Sequence, residues 1–479
     1  MKYVINGRKP ESVFRFFEEI SAIPRGSHNE SAIADYLVAF AKARGLEYYR
    51  DDLNNVLIKS PATKGQEGRA PLLFQGHTDM VCEKNSDVEH DFLRDPLSLW
   101  VDGKLLRARG TTLGADNGIA VAMMLSLLDG EVAEHPAYEC LFTTAEETGL
   151  NGAQNFDYSL LKARTMINMD SEELGVVTCG CAGGLRSDLT MHCTMIPFTG
   201  TSLRVRIGGL MGGHSGADIN TGRANANKLM GRLLAALLPT CDARIVSVVG
   251  GSKDNAIPRE CEVVLAVADA DAATDLLTET ANEIARELVK EDRGFTVSVE
   301  TAEDEAVMMS RRDTERIVAV LACAACGVLA MNRSVAGLVE YSRNLGVVRT
   351  EGDDVTFVFS SRSGIESRLD ASIREIDALA TALDCKTNHY SRYPGWDFVS
   401  DSAVREAYVK AYRDVTGKDA AINVIHAGLE CGIIYSKLPD MDIISIGPDM
   451  YDIHSPDEAL DLDSTEIFWK TLVRLIETV

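Results

Sequence analysis

The feature that most constrains this chain is a series of apolar runs, each closed or directly followed by acidic residues or histidine. Interpreted as β-strands, such runs place those side chains at the carboxyl edge of one sheet, where open α/β sheets bind ligands. Carboxylates and imidazoles bind divalent cations, so the pattern predicts a dinuclear metal site that activates water for hydrolysis. The runs are APLLFQG, RGTTLGA, YECLFTTA, TMINM and DIISIGPDMYDI, and the side chains concerned are His77, Asp116, Glu146, Glu147, Asp170 and His454.

Each of these segments also has an ordinary explanation when it is taken alone. A histidine after a strand is commonly a surface or hydrogen-bonded residue, a Glu-Glu pair commonly starts a solvated helix, and GADNG is typical of a turn before a helix. Their occurrence in one chain, in this order, favours the metal site. Within it, Asp79 is close enough in sequence to accept the free ring N–H of His77, and Glu146 is a candidate general base.

The motifs resemble those of a known family. GHTDMV, LGADNGIA, TTAEETGLNGA, INMDSEE and a late HSPDE are similar in order to the zinc-dependent exopeptidases that include carnosinases and tripeptidases. SAIPRGSHNE, GGHSGADINTGRANA, YSRNLGVV, SSRSGIESR and HAGLECG resemble the aminoacyl-histidine dipeptidases within that family. The resemblance covers nearly the whole chain. It implies hydrolysis of L-aminoacyl-L-histidine dipeptides, such as carnosine, and of other short dipeptides.

The resemblance also implies a role for each residue of the predicted site. One metal ion would be bound by His77, Asp116 and Asp170, and the other by Asp116, Glu147 and His454, with Asp116 as the bridge. Glu146 falls on the catalytic base and Asp79 on the residue that supports His77. The two ions are expected to be Zn²⁺, with Co²⁺ and Mn²⁺ as alternatives. Aspartate at position 170 favours substrates with a free α-amine, and the Asp116–Asn117 peptide bond is expected to be cis.

Four further residues are candidates for substrate binding. The resemblance assigns His214 in GGHSG to the scissile carbonyl and Asn255 in KDNAIP to substrate positioning. Arg362 in SSRSG is a candidate clamp for a carboxylate, because a guanidinium binds carboxylates through two parallel hydrogen bonds. Glu430 in HAGLECG is a candidate partner for the substrate ammonium. A loop histidine, a turn asparagine and a surface arginine are the ordinary alternatives for the first three.

The order of predicted elements indicates an α/β fold with an insertion. Strands and helices alternate up to about residue 186, as in an open sheet flanked by helices. From TSLRVRIGG to FTVSVET the order is β-α-β-β-α-β, a split-βαβ unit, and a helix over RRDTERIVAVLACAACGVLAM and an extra ββαβ half follow. We therefore predict a catalytic domain with a mixed sheet, residues 1–186 and 395–479, and an inserted α+β lid domain, residues 187–394.

Composition excludes several other classes of protein. The chain has 479 residues and a formal net charge of −24, which argues against binding nucleic acid or anionic membranes. Its first residues, MKYVINGRKPESVF, lack the basic and apolar regions of a signal peptide, so a cytoplasmic location is expected. A homodimer is compatible with the sequence, which does not decide the oligomeric state. The remaining alternatives are a related exopeptidase, an N-acyl amino acid deacylase of the same fold, and a non-catalytic metal- or peptide-binding protein.

Overall fold

The computed structural model describes residues 3–303, 305–333, 335 and 337–479, which form two compact units. Unit 1 comprises the chain up to Gly180 together with Trp396–Val424 and Leu429–Val479. Unit 2 comprises Cys181–Gly395 and the short segment Ile425–Gly428. The division into a catalytic and a lid domain stays a prediction, and the return of residues 425–428 to unit 2 was not part of it.

The chain up to residue 181 alternates between helices and short strands. Its elements are α1 (Glu11–Ser21), α2 (Ser31–Arg44), β1 (Glu47–Arg50), β2 (Val56–Ser60), β3 (Leu72–His77), β4 (Leu99–Asp102), β5 (Leu105–Ala108), α3 (Ala115–Leu128), β6 (Tyr138–Thr143), α4 (Asn151–Asn155), β7 (Thr165–Asn168) and β8 (Val176–Cys181).

The next stretch supplies the strands and helices of unit 2. They are β9 (Gly183–His192), β10 (Met195–Pro197), β11 (Thr201–Gly208), β12 (Gly213–His214), α5 (Ala226–Leu237), β13 (Ala243–Gly250), β14 (Ala256–Ile257), β15 (Cys261–Val267), α6 (Ala270–Ala285), β16 (Thr296–Thr301), β17 (Val307–Met309), α7 (Arg311–Cys323), β18 (Gly327–Met331), β19 (Val339–Glu351), β20 (Asp354–Ser363), α8 (Glu366–Ala382) and β21 (Lys386–Tyr393).

The last stretch returns to unit 1. It contains α9 (Ala403–Thr416), β22 (Ala421–Ile425), α10 (Glu430–Lys437), β23 (Asp442–Ser445), β24 (Met450–Tyr451), β25 (Ala459–Asp461) and α11 (Leu462–Thr478).

The centre of unit 1 is an eight-stranded mixed sheet in the order β1-β2-β6-β3-β7-β23-β8-β22. Strands β6, β3, β7 and β23 are parallel, and every residue of β3 and β6 is buried. Their sequences, LLFQGH and YECLFT, are nearly continuous apolar runs because parallel strands are covered on both faces. In register, His77 lies opposite Thr143 and Gln75 opposite Asn168, so the segments after β3, β6 and β7 leave the same edge of the sheet.

Two of the runs predicted to be strands that lead into the site differ in the structure. RGTTLGA is a loop rather than a strand: β5 ends at Ala108, and Gly110 and Gly114, with φ of 70° and 66°, turn the chain before α3. Similarly, DIISIGPDMYDI is divided into β23 and β24 by the intervening IGPD segment. Asp116 therefore lies at the start of α3, and His454 lies in the loop between β24 and β25.

Unit 2 is built on a nine-stranded sheet flanked by helices. Strands β11, β13, β15 and β16 with helices α5 and α6 form the predicted β-α-β-β-α-β order, and β19, β20, α8 and β21 form the extra half. The fold prediction is confirmed. The predicted boundary after residue 186 falls inside β9, which begins at Gly183 and is hydrogen-bonded to β20 throughout.

One predicted helix of unit 2 is too long. The segment GVLAM is strand β18, paired with β19, and not the last turns of α7. Helix α7 ends at Cys323 because Ala324 has extended backbone angles and Gly327 has a φ of 94°. In the described part of the chain, none of the helices combines the length and the apolar character that crossing a bilayer requires.

Candidate metal and substrate site

The first group of ligand-type side chains surrounds His77 at the end of β3. Its Nε2 lies 3.1 Å from Oδ1 of Asp116 and 3.4 Å from Oδ1 of Asp170. Asp170 follows β7, the strand beside β3, so the sheet itself brings these two residues together. One ligand atom from each of the three residues lies within 4.8 Å of the others.

The second group shares Asp116 with the first. Nε2 of His454 lies 3.1 Å from Oδ2 of Asp116 and 3.1 Å from Oε1 of Glu147. Asp116 therefore faces a different histidine with each of its carboxylate oxygens. The backbone of His454 has a φ of 60°, a left-handed conformation that is uncommon outside glycine.

A third grouping of His77, Glu146 and Glu147 also meets the 4.8 Å criterion. Both glutamates follow β6, and the preceding Ala145 has a φ of 50°, which turns the chain sharply at the edge of the sheet. The geometry alone therefore leaves Glu146 open as either a ligand or a base.

Asp79 has further contacts besides the predicted one with His77. Nδ1 of His77 lies 3.1 Å from the Asp79 carbonyl oxygen and 3.5 Å from its carboxylate Oδ1. The Asp79 carboxylate accepts hydrogen bonds from the backbone N–H groups of Glu146 (3.1 Å) and Glu147 (3.3 Å), and from the Ser27 hydroxyl (2.8 Å). Asp79 thus links the loop after β3 to the loop after β6, and its support of the His77 ring stays a prediction.

The charges of the site shift the pKa values of its histidines and of Asp116. Hydrogen bonds to Asp116 and Glu147 raise the pKa of His454 to about 11. Burial alone would lower the pKa of His77, but the Asp170 charge and hydrogen bonds to its carboxylate neighbours raise it well above the usual range. Burial would raise the pKa of Asp116, yet the two histidines hold it well below its usual range. The carboxylates of the site therefore favour positive charge at both histidines.

These residues fit a pair of divalent cations. The donor set is three carboxylates and two imidazoles, with Asp116 contributing to both groups, and it suits zinc-type metals. Nε2 of His77 and Nε2 of His454 each face carboxylate oxygens, so these two nitrogens and their neighbouring carboxylates could hold cations. Metal binding would displace any proton from these nitrogens.

The carboxyl group of Glu146 has a raised pKa. Burial raises its pKa well above the usual range, and the nearby carboxylates of Asp170, Glu430 and Glu147 add to this, while His77 opposes it. A carboxyl group that is desolvated in this way takes up a proton more readily than an exposed one.

Glu430 is fully buried at the first residue of α10. Its Oε2 accepts hydrogen bonds from Gln75 Nε2 (2.5 Å) and Thr143 Oγ1 (2.7 Å), and its Oε1 has no hydrogen-bond partner among the described residues. Burial raises its pKa to about 7, with the His77 charge acting in the opposite direction. The predicted contact with a substrate ammonium stays a prediction, and Oε1 is the atom available for it.

His214, Asn255 and Arg362 all belong to unit 2, and His214 interacts with the segment of Asn255 and with the charge of Arg362. His214 in β12 pairs with Ala256 in β14, and the Ser215 N–H donates to the Asn255 carbonyl at 2.8 Å. Nδ1 of His214 accepts from the N–H groups of Gly216 (3.3 Å) and Ala217 (3.1 Å), which leaves the ring proton on Nε2. Burial lowers the pKa of His214, and the Arg362 charge adds to this effect.

Arg362 is buried without a carboxylate partner among the described residues. Only 9% of its surface is exposed, its Nη1 donates to the Tyr393 hydroxyl at 3.1 Å, and its Nε has no hydrogen-bond partner. Its neighbour across the strands, Ser342, lies 2.7 Å from Nε2 of His426. An unneutralised buried guanidinium favours an anionic ligand.

Sequence reasoning missed residues that contact the loops of the site rather than its centre. The Glu30 carboxylate accepts from the Ala145 N–H at 3.1 Å, just before the two glutamates. Arg25 and Glu458 contact the loop that precedes Asp116. The strings SAIPRGSHNE and HSPDE contain all three residues, but their partners are backbone atoms, which no sequence motif displays.

Comparisons with known proteins agree with this geometry. Residues 73–478 match the profile of peptidase family M20/M25/M40. The chain is 37% identical to the cytosol non-specific dipeptidase of Escherichia coli (strain K12), over 98% of both chains. It is 38% identical to an aminoacylhistidine dipeptidase from Vibrio alginolyticus, with a TM-score of 0.93 over 99% of this chain and 97% of that one.

A more distant structure shares the fold alone. An aminopeptidase PepT from Bacillus cereus superimposes with a TM-score of 0.57 at 15% identity, over 98% of this chain and 99% of that one. The resemblance inferred from the motifs is therefore confirmed, as is the α/β fold that it implied. The Asp116–Asn117 peptide bond is cis, as expected. The chain belongs to peptidase family M20/M25/M40.

Proposed function

We propose that this metallo-dipeptidase hydrolyses L-aminoacyl-L-histidine dipeptides and other short dipeptides with a free amine, using two zinc ions. The observation that carries the proposal is the position of Asp116 between two histidines, each 3.1 Å from a different carboxylate oxygen. A carboxylate that belongs to two ligand groups could bridge two metal ions, and ions about 3.5–4 Å apart are typical of two-metal hydrolases. Asp170 and Glu147 complete one group each.

When bound, the two ions would polarise the scissile carbonyl and make water acidic enough to be deprotonated near neutral pH. His77, Asp116 and Asp170 would hold one ion, and Asp116, Glu147 and His454 the other. Glu146 takes the proton from the attacking water and delivers it to the leaving amine, which its raised pKa supports. Asp79 holds the two glutamates through their backbone N–H groups.

The residues of unit 2 would act on the substrate. Neutral His214, with its proton on Nε2, is suited to donate to the carbonyl oxygen as negative charge develops there. Arg362, which has no carboxylate partner among the described residues, would bind the substrate carboxylate, and Asn255 would orient the dipeptide. Glu430 would receive the ammonium. The protein is proposed to act in the cytoplasm, as the name of the Escherichia coli relative suggests.

Zinc stoichiometry tests the dinuclear part of this proposal. We expect two ions per chain in the wild type after equilibrium dialysis and metal analysis. Asp116→Ala should lose both, because it removes the shared ligand, whereas His454→Ala should lose chiefly one. Two ions retained in both variants would exclude the dinuclear assignment.

A substrate panel tests the specificity. Aminoacyl-histidine dipeptides should have a higher kcat/KM than dipeptides with an apolar second residue, and N-acetylation should lower it strongly because a buried carboxylate would be left unpaired. Equal rates across the panel would favour the broad specificity in the name of the Escherichia coli relative. Preference for acetylated amino acids would favour the deacylase alternative.

A further inference from the structure

Arg25 joins two of the loops that carry the proposed metal ligands. Its side chain is buried, and its Nη1 donates to the carbonyl oxygens of Thr78 (3.0 Å) and Asp79 (3.4 Å). Its Nη2 donates to the carbonyl oxygen of Gly114. One guanidinium thus connects the loop after β3 to the loop that leads into α3.

The glycines of LGADNG make room for this guanidinium. A Cβ atom on Gly114 would lie 2.6 Å from Arg25 Nη2, and one on Gly118 would lie 2.5 Å from the same atom. Gly114 also has a φ of 66°, which disfavours other residues. The motif around Asp116 is therefore shaped to fit Arg25, which is distant in sequence.

Glu458 holds the same loop through its amides. Its Oε2 accepts from the N–H groups of Leu113 (2.8 Å) and Gly114 (2.9 Å), and its Oε1 accepts from those of Ala115 (2.8 Å) and Asp116 (3.3 Å). Only 2% of Glu458 is exposed. Arg25 thus donates to a carbonyl group of the loop before Asp116, and Glu458 accepts hydrogen bonds from four successive N–H groups, those of residues 113–116.

We propose that Arg25 and Glu458 are positioning residues that set the affinity of the site for its two metal ions by fixing the Asp116 loop. This inference rests on the proposed dinuclear function. The Asp116 carboxylate must contribute one oxygen to each of two ligand groups, so it tolerates less rotation than a carboxylate that binds a single metal ion. Neither residue belongs to the ligand groups, and both act through the backbone next to Asp116.

A second role for Arg25 makes the opposite prediction. The charge of Arg25 interacts with the carboxylates of Glu458, Asp79 and Asp116. If Arg25 only neutralised these groups, its removal would leave the site more negative and would tighten cation binding. If it positions the loop, its removal would weaken binding. The sign of the change therefore separates the two roles.

The test is the zinc affinity of Arg25→Met and Arg25→Lys, measured by competition with a chelator on folded protein. We expect Arg25→Met to bind zinc about 10–100-fold more weakly than the wild type. Arg25→Lys should recover only part of the loss, because an ammonium lacks the planar fork that reaches both loops. The visible spectrum of the cobalt-loaded variants should change as well, since it reports ligand geometry.

Arg405 provides a matched control in unit 1. It is 6% exposed and, like Arg25, donates to backbone carbonyl groups, those of Val399 and Ser400. It lies near Asp442 at the start of β23, whereas the ligand-bearing segments leave the opposite ends of the parallel strands. Arg405→Met and Arg405→Lys should lower stability without changing zinc affinity.

Glu458→Gln keeps the test decisive if the Arg25 variants do not fold. It retains one acceptor oxygen and removes the charge, so zinc affinity should fall about tenfold. Wild-type or tighter zinc binding in Arg25→Met, or in Glu458→Gln when that variant alone folds, would overturn the proposal. A wild type that binds fewer than two ions would instead contradict the proposed function.

Discussion

Glu146 and Glu147 are adjacent in sequence and identical in chemistry, yet the structure gives them different surroundings. Glu147 reaches His454 at 3.1 Å, whereas Glu146 is surrounded by carboxylates and has a strongly raised pKa. We expect Glu146→Gln to lower kcat by about 10²–10⁴-fold while two zinc ions remain bound. Glu147→Gln, which is equally conservative, should lose zinc from one site. Metal analysis and assays of both variants measure this, and the reverse pattern would show that the roles are exchanged.

Metal binding should depend on pH because the histidines exchange protons for cations. Hydrogen bonds to Asp116 and Glu147 raise the pKa of His454 to about 11, which favours the protonated ring when no metal ion is bound. Since the cost of removing that proton falls as pH rises towards its pKa, zinc affinity should increase by about tenfold per pH unit for each proton released. Competition titrations between about pH 6 and about pH 8 measure the slope. His454→Gln should reduce it, and an unchanged slope would contradict the assignment.

At the scale of single residues, the sequence displays side chains that differ in chemistry from their surroundings. His77, Asp116, Asp170 and His454 could be selected because charged or imidazole groups followed apolar runs. Arg25, Glu30 and the second role of Asp79 could not, because their partners are backbone N–H and carbonyl groups. All residue types offer the carbonyl group and all but proline offer the N–H group, so the sequence of the contacted segment does not reveal such a contact.

The packing of α3 on β3 sets the distance between two ligand-bearing elements. A Cβ atom on Gly76 would lie 2.3 Å from Asn117 Oδ1 and 2.7 Å from Ala120 Cβ, so the helix rests directly on the strand at this point. We expect Gly76→Ala to cost about 1–3 kcal/mol of unfolding free energy through overpacking. It should also weaken zinc binding, because His77 and Asp116 would move apart. Denaturant unfolding and zinc titration measure the two effects.

Gly68→Ala is the control for this substitution. A Cβ atom there would meet nothing within 4 Å, so the change should stay within about 0.5 kcal/mol. Equal stability of the Gly76 and Gly68 variants would show that α3 can shift away from β3 without cost.

Elements with a clear apolar run or a helical hydrophobic period were predictable, and elements set by local backbone geometry were not. The buried strands β3 and β6 and the helix α8 follow the sequence pattern closely. GVLAM continued an apolar helical run, but the extended conformation of Ala324 and the positive φ of Gly327 redirect the chain into a strand. The loop before Asp116 was mistaken for a strand for a related reason, since its glycines with positive φ bend it.

The metal ions are expected to stabilise one unit of the molecule more than the other. All five proposed ligands lie in unit 1, so removing the metals withdraws binding free energy from that unit only. A ligand at 100 times its Kd contributes about 2.7 kcal/mol. After chelation, amide hydrogen exchange should accelerate in the ligand-bearing loops and sheet of unit 1, while β11, β13 and β15 in unit 2 keep their protection. Equal acceleration in both units would indicate that they unfold as one.

The chain order of unit 1 has a consequence for protein synthesis. Strands β3, β6 and β7 are synthesised before any part of unit 2. Strand β23, which pairs with β7 and continues the sheet, is synthesised after unit 2, as is the loop that carries His454 and Glu458. Unit 2 can complete its own sheet while its neighbour in the chain still waits for its last strands. The edge of β7 that binds β23 therefore waits for this partner until Asp442–Ser445 has been made, and on the proposed ligand assignment hydrolysis also requires the later loop that carries His454.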